Sequence, residues 1–226
     1  MPVGNPPLPT KEGFTEWKMG LLARLKAGPL RPLSDSPGLP SRLEPATVKK
    51  AEGSILFVRD EGDDSGAKVQ LPGWLALPPT YTLVPRGSGP LAWSRKSPPN
   101  YVERAHALLG RTVDLGRVED ILAAVRKIRR ESGGKVMVAG SGRAGILAAY
   151  AALLDPDIAG VAVINPPASH RDGPHFLGVQ RILDVPDALS LLAPRPLWLI
   201  DAKDRAFERT TAIYAAAGAA DKLNRK

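Results

Sequence analysis

The chain has 226 residues, 43% of them hydrophobic and 24% charged, which suits one globular core with an extension. Cysteine is absent, excluding disulfides and Cys-ligated metal sites, and no apolar run approaches the ~20 residues of a membrane helix. A net charge of +8 and a pI near 9.9 raise nucleic acid as a partner. Against it, aromatic residues are only 5% and the densest basic run, Arg126-Lys127-Ile128-Arg129-Arg130, closes an expected helix, where the dipole favours cations.

Residues 1–10 are Pro-rich without a long apolar stretch, so they do not read as a signal peptide, and the cytoplasm is the default expectation. Residues 1–50 read as a Pro-rich extension peripheral to the domain. It holds one helix, about 15–27, with Phe14, Trp17, Leu21, Leu22 and Leu25 on one side. The prolines of 30–45 mark an irregular linker. Residues 51–226 form the expected domain. It begins with a strand at 54–58 (SILFV), a polar loop at 59–66 and a helical turn at 71–77 around Trp74. A second strand, 81–84 (YTLV), ends in Pro85-Arg86-Gly87-Ser88-Gly89, and a short helix follows at 101–109. Asp114 reads as the N-cap of the next helix, in which Val118, Ile121, Leu122, Val125 and Ile128 recur at helical spacing until Gly133-Gly134.

The stretch 135–155, KVMVAGSGRAGILAAYAALLD, organises the rest. Residues 136–139 read as a buried strand, Gly140-Ser141-Gly142-Arg143-Ala144-Gly145 as a tight turn, and 146–154 as a helix buried on most sides. Further on lie a strand at 160–164 (GVAVI) closed by Asn165-Pro166-Pro167, a long excursion at 168–195, a strand at 197–200 (LWLI) and a last helix at 207–217. Strands alternating with helices predict an α/β fold, a mainly parallel sheet of about five strands with helices on both faces.

Two readings of the central turn compete. Gly140-x-Gly142-x-x-Gly145 is a literal GxGxxG between strand and helix, but a dinucleotide site wants an acid about 20 residues on, and the next strand ends at Asn165 instead. The other reading is a nucleophile elbow, in which glycines let the backbone crowd around an exposed nucleophile. The turn fits G-x-Nuc-x-(A/G)-G with Gly142 at the nucleophile position. Making Ser141 the nucleophile puts Ala139 and Arg143 at the glycine positions, where Arg143 crowds the turn.

On these motifs, residues from about 54 to 223 resemble an α/β-hydrolase domain, similar to the acetyl-xylan-esterase and prolyl-oligopeptidase-like branches. TLVPRGSGP resembles the family's fourth strand with its R-G-x-G, the 140–145 turn its elbow, GVAVINPP its sixth strand and PLWLIDAKDRAF its seventh. The excursion after GVAVINPP occupies the lid position. The resemblance implies eight strands in the order 1-2-4-3-5-6-7-8 and a catalytic acid at Asp204, or else Asp201. The departures are Gly142 in place of a hydroxyl nucleophile, no His after the seventh strand, no evident eighth strand, and neither of the two opening strands. The resulting expectation is a degenerate, non-catalytic hydrolase-like domain, truncated or a fragment of a larger protein, without a cofactor. One alternative is a weak serine esterase or peptidase built from Ser141, Asp204 and His170; another is a dinucleotide- or anion-binding module at 140–145.

His170, Arg171, Asp172 and His175 cluster in SHRDGPH at the carboxyl end of a strand, where α/β sheets hold ligands. The bland reading is a polar loop packed by Pro166, Pro167 and Pro174, and the spacing matches no metal motif. The ligand reading puts Arg86, Gly87, Gly89, Gly140, Gly142, Arg143, His170 and Arg171 on one basic rim suited to small carboxylates or phosphates. Ser88 has no base beside it in sequence; His106, Trp74, Trp93 and Trp198 read as packing residues. The runs 81–84 and 197–200, expected at the sheet edges, carry no protecting Lys or Pro, which predicts a homodimer or a strand-edge partner.

Overall fold

In the computed structural model, residues 5–31, 42–44, 53–60, 80–89 and 101–226 are described. Alternating apolar residues build strands β2 (Gly53–Val58), β3 (Thr80–Val84), β4 (Lys135–Ser141), β5 (Ile158–Ile164) and β6 (Leu197–Ile200). Two three-residue strands, β1 (Arg42–Glu44) and β7 (Leu223–Arg225), complete a seven-stranded sheet in the order β1-β3-β2-β4-β5-β6-β7. Every pairing is parallel except β1 with β3. This is an α/β fold, and the crossing of β3 outside β2 is the strand exchange that the resemblance implied.

Strand count and edges differ from expectation. The last residues form β7, which continues the sheet beyond β6. Asp201 N donates to Lys226 O (2.8 Å) and Lys226 N to Leu199 O (2.9 Å). Arg225 anchors the strand by donating to the carbonyls of Ala202 (3.2 Å) and Asp204 (3.0 Å). At the other side β1 pairs along β3, within the stretch expected to be linker. Leu197–Ile200 and Thr80–Val84 are therefore covered strands. The outermost ones are three residues long, too short to template much pairing.

Because strand side chains alternate, one face carries Leu56, Val58, Val136, Val138, Val161, Val163, Leu197 and Leu199, and the other Ile55, Phe57, Met137, Ala139, Ala162, Ile164, Trp198 and Ile200. Helices α1 (Phe14–Ala27), α3 (Val113–Ser132), α4 (Gly142–Leu154), α5 (Val185–Ser190) and α6 (Glu208–Ala216) all pack on the first face. Helix α2 (Tyr101–Leu108) buries no residue. Trp198 is one of the partly buried residues of the second face, as a packing role requires.

Helix α1 is not peripheral: Phe14, Leu21 and Leu25 belong to the main core, and Leu25 is fully buried, a burial worth about 1.5–3 kcal/mol for a leucine. Helix α3 is capped by Thr112, whose hydroxyl accepts from Leu115 N at 3.1 Å, and not by Asp114, which lies inside the first turn. Helix α4 buries nine residues from Ala144 to Ala152, as its all-round apolar sequence demands. The stretch around Trp74 and Trp93 lies outside the described residues. Among the described residues, no helix is long and apolar enough to cross a membrane.

Candidate functional site

The chain passes from β4 into α4 through the turn at Gly142, whose φ of +54° lies in the region that only glycine enters cheaply. Ser141 before it is still extended (φ −101°, ψ 150°). The flanking glycines are set by contact: a β-carbon on Gly140 would stand 2.7 Å from Gly145 N, and one on Gly145 2.5 Å from Val163 Cγ1. Helix α4 thus starts pressed against β4 and β5. In the elbow reading the nucleophile position is the left-handed residue between strand and helix, and here that residue is Gly142, while Ser141 is still part of the strand.

Asp60 fills the space above that turn. It follows β2 and its Oδ2 lies 2.8 Å from where a β-carbon on Gly142 would be. The same oxygen accepts a hydrogen bond from Arg143 N at 3.1 Å. In an elbow, the N–H after the nucleophile is one of the oxyanion donors. Here that donor is taken by a carboxylate of the chain itself. The local reason is clear: Ser141, the N-cap of α4, makes no side-chain cap bond, and a carboxylate at a helix N-terminus is favoured by the helix dipole. Asp60 supplies the missing cap from the segment after β2.

A second carboxylate gathers the rim. Asp114 is buried at 3% exposure; its Oδ1 accepts from Arg117 Nη1 (3.0 Å), and its Oδ2 from Arg143 Nη2 (3.2 Å) and His175 N (2.7 Å). Arg117 also donates to the carbonyls of Arg86 (3.2 Å) and Gly87 (3.4 Å). One side chain therefore draws together the loop after β3, the start of α4 and the excursion after β5. Arg86, proposed from sequence as a ligand group, donates to Asp120, which is fully buried, through Nη2 (2.6 Å) and Nε (3.0 and 3.1 Å), with Glu119 3.7 Å away. Its guanidinium charge is held above its ordinary pKa by those bonds. The loop after β3, the start of α4 and the excursion after β5 are held together here, and the charges of Arg86 and Arg143 are neutralised internally. Gly89 turns back against Val84, and Ser88 is buried.

His170 is a support rather than a rim residue, 3% exposed. A carbonyl can only accept, so Nδ1–H donates to Pro174 O (2.9 Å), leaving Nε2 to accept from Tyr150 Oη (2.9 Å). Burial pushes its pKa below the ordinary histidine value, and pushes that of the fully buried Tyr150 well up. Neither ring nitrogen bonds a carboxylate, and Arg171 and Asp172 are exposed. Asp204 uses Oδ1 to accept from Ala206 N (2.8 Å) at the start of a short helical turn, and Asp201 is exposed. The structure thus brings Gly140, Gly142, Arg143, Arg86 and Gly87 to one rim. It does not join Ser141, His170 and Asp204 by hydrogen bonds. His106 is tied to its own helix through Val102 O (2.8 Å).

Sequence reasoning missed Asp60, Asp114 and Tyr150. Asp60 lies in a stretch that reads as a polar loop, Asp114 reads as a cap, and in the apolar helix that holds Tyr150 its hydroxyl is the only signal.

No family model matches the chain, and no curated protein sequence is significantly similar to it. Solved structures do match. A protein described as an acetyl xylan esterase from Bacteroides fragilis superposes with a TM-score of 0.75 at 15% identity, over 96% of this chain and 75% of its own. The glucuronoyl esterase catalytic domain from Hypocrea jecorina gives 0.58 at 14% identity (96% and 78% covered). An acylaminoacyl peptidase from Pyrococcus horikoshii gives 0.51 at 14% (78% and 32%). The chain has the α/β-hydrolase fold.

Proposed function

We propose that this α/β-hydrolase-fold domain is non-catalytic, with its former reaction centre converted into a structural joint. The observation that carries the reading is the Asp60–Gly142–Arg143 arrangement. The elbow position has no side chain, and its oxyanion-type N–H already bonds a carboxylate. Covalent acyl transfer needs a nucleophile at that position and a free donor for the developing oxyanion. An anion entering from solvent would meet Asp60 first, which counts equally against a phosphate cradle at 140–145. The neighbours named as esterases and a peptidase support descent of the scaffold from hydrolases, and the domain would retain the scaffold for binding.

The test is direct. The purified chain should hydrolyse p-nitrophenyl acetate no faster than a heat-denatured control and take no label from a fluorophosphonate. Stoichiometric labelling mapped to Ser141 would overturn the proposal and restore a serine hydrolase.

A further inference from the structure

We infer that the excursion after β5 forms a binding site for a phosphate monoester. Between residues 170 and 181 the chain curls around an open cavity of about 660 Å³, within the range of small-molecule sites. Arg171, His175, Gln180 and Arg181 line it, with Leu177 and Phe176 as apolar wall, and among the described residues no acidic one is part of the lining. The charge balance distinguishes this cleft from the adjoining rim. Around the elbow, Arg86, Arg117 and Arg143 are each paired with a buried carboxylate. Arg171 and Arg181 are exposed and enter no ion pair among the described residues. The uncompensated positive charge therefore lies over the cleft, not over the turn.

The walls are held before any ligand arrives. Asp184 accepts from Ser169 Oγ (2.8 Å), His170 N (2.6 Å) and Val185 N (2.9 Å), so this carboxylate is engaged in holding the loop. The His170 ring is fixed at both nitrogens, and Phe176 packs on Tyr150 with ring centroids 4.5 Å apart. Gln180 Nε2 donates to Ser169 Oγ (3.3 Å), using one of its two N–H groups and leaving the other for a ligand. A loop ordered in this way loses little conformational entropy on binding.

The donor set defines the ligand. The guanidinium groups of Arg171 and Arg181 supply fixed positive charge and several donors, and Gln180 a further N–H, which suits the several oxygens of a dianionic phosphate better than a single carboxylate. Leu177, 45% exposed in the wall, offers apolar contact to the group esterified to that phosphate. This site does not depend on whether the elbow is catalytic, because none of its residues belongs to the elbow.

Calorimetric titration of the full chain with phenyl phosphate tests it. Saturable binding is expected, weakened about tenfold by Arg171→Gln and by Arg181→Gln, the loss of roughly one charged hydrogen bond each. Both side chains are on the surface, so the variants should fold, and Arg126→Gln on the exposed side of α3 should bind as the parent does. Inorganic phosphate binding more weakly with the same dependence on the two arginines supports the site. Absence of saturable binding at millimolar concentration overturns it. So does equal weakening by Arg126→Gln, which would mean attraction to net charge alone. Benzoate binding as tightly as phenyl phosphate would overturn the phosphate assignment.

Discussion

The Asp60 carboxylate stands 2.8 Å from the point where Gly142 would carry a β-carbon, and bonds the next residue's N–H. A side chain at 142 and the present position of Asp60 are mutually exclusive. Gly142→Ser should therefore gain no esterase activity, and should lose about 1–3 kcal/mol of stability from the left-handed backbone and the displaced carboxylate. Urea unfolding and p-nitrophenyl acetate turnover check both halves. Turnover restored by that single change would show that Asp60 does not block the site.

Removing the carboxylate should act through the helix. Asp60→Ala leaves the first turn of α4 without its cap from β2, at a cost of about 0.5–2 kcal/mol. Hydrogen exchange should then speed up at Arg143 N–H before the rest of α4. Unchanged protection at that amide would contradict the capping role.

Gly145 leaves no room for a β-carbon between helix and sheet. A methyl group there meets Val163 Cγ1 at 2.5 Å and Gly140 O at 2.6 Å, so strand and helix must separate. Gly145→Ala should cost about 3 kcal/mol or more, the upper range for overpacking. Chemical denaturation measures it, and a loss below about 1 kcal/mol would mean that the joint is softer than the contacts imply.

Asp114 is the buried acceptor for Arg117, Arg143 and the His175 N–H. Asp114→Ala leaves Arg117, 6% exposed at its side chain, without that ion pair, and should destabilise by about 3–5 kcal/mol. Asp114→Asn keeps the shape and part of the bonding, so its loss should be smaller. Thermal unfolding of the two variants side by side is the measurement.

His170 makes stability pH-dependent in a defined direction. Burial lowers its pKa in the folded protein below the ordinary 6.5, so the unfolded chain binds the proton first as pH falls. The contribution of this residue is fully present above pH 6.5 and is lost as pH drops through that value toward the folded one. The Tm should therefore fall more steeply between pH 7.5 and 5.5 for the parent than for His170→Gln. Equal slopes would show that the ring is protonated without penalty.

Much of the architecture was legible in the chain itself. The alternating runs SILFV, YTLV, GVAVI and LWLI, and the all-round apolar helix after the glycine turn, dictate a parallel α/β sheet through local periodicity. The spacing of Gly140, Gly142 and Gly145 likewise contains the tight strand-to-helix turn, because only absent β-carbons let a helix start that close to two strands. What tertiary structure decided are the relations without a local signature. Arg42–Glu44 and Leu223–Arg225 are strands because neighbouring edges offer their backbones partners, not because three residues carry a period. The N-terminal helix joins the core because the sheet presents an apolar face to Leu21 and Leu25. The charges of Arg86 and Arg143 look free in sequence and are neutralised by Asp120 and Asp114 on α3. And Asp60, whose carboxylate fills the space at that turn, comes from the segment just after β2, 83 positions before Arg143, a pairing that no spacing rule encodes and that only the parallel alignment of β2 with β4 creates.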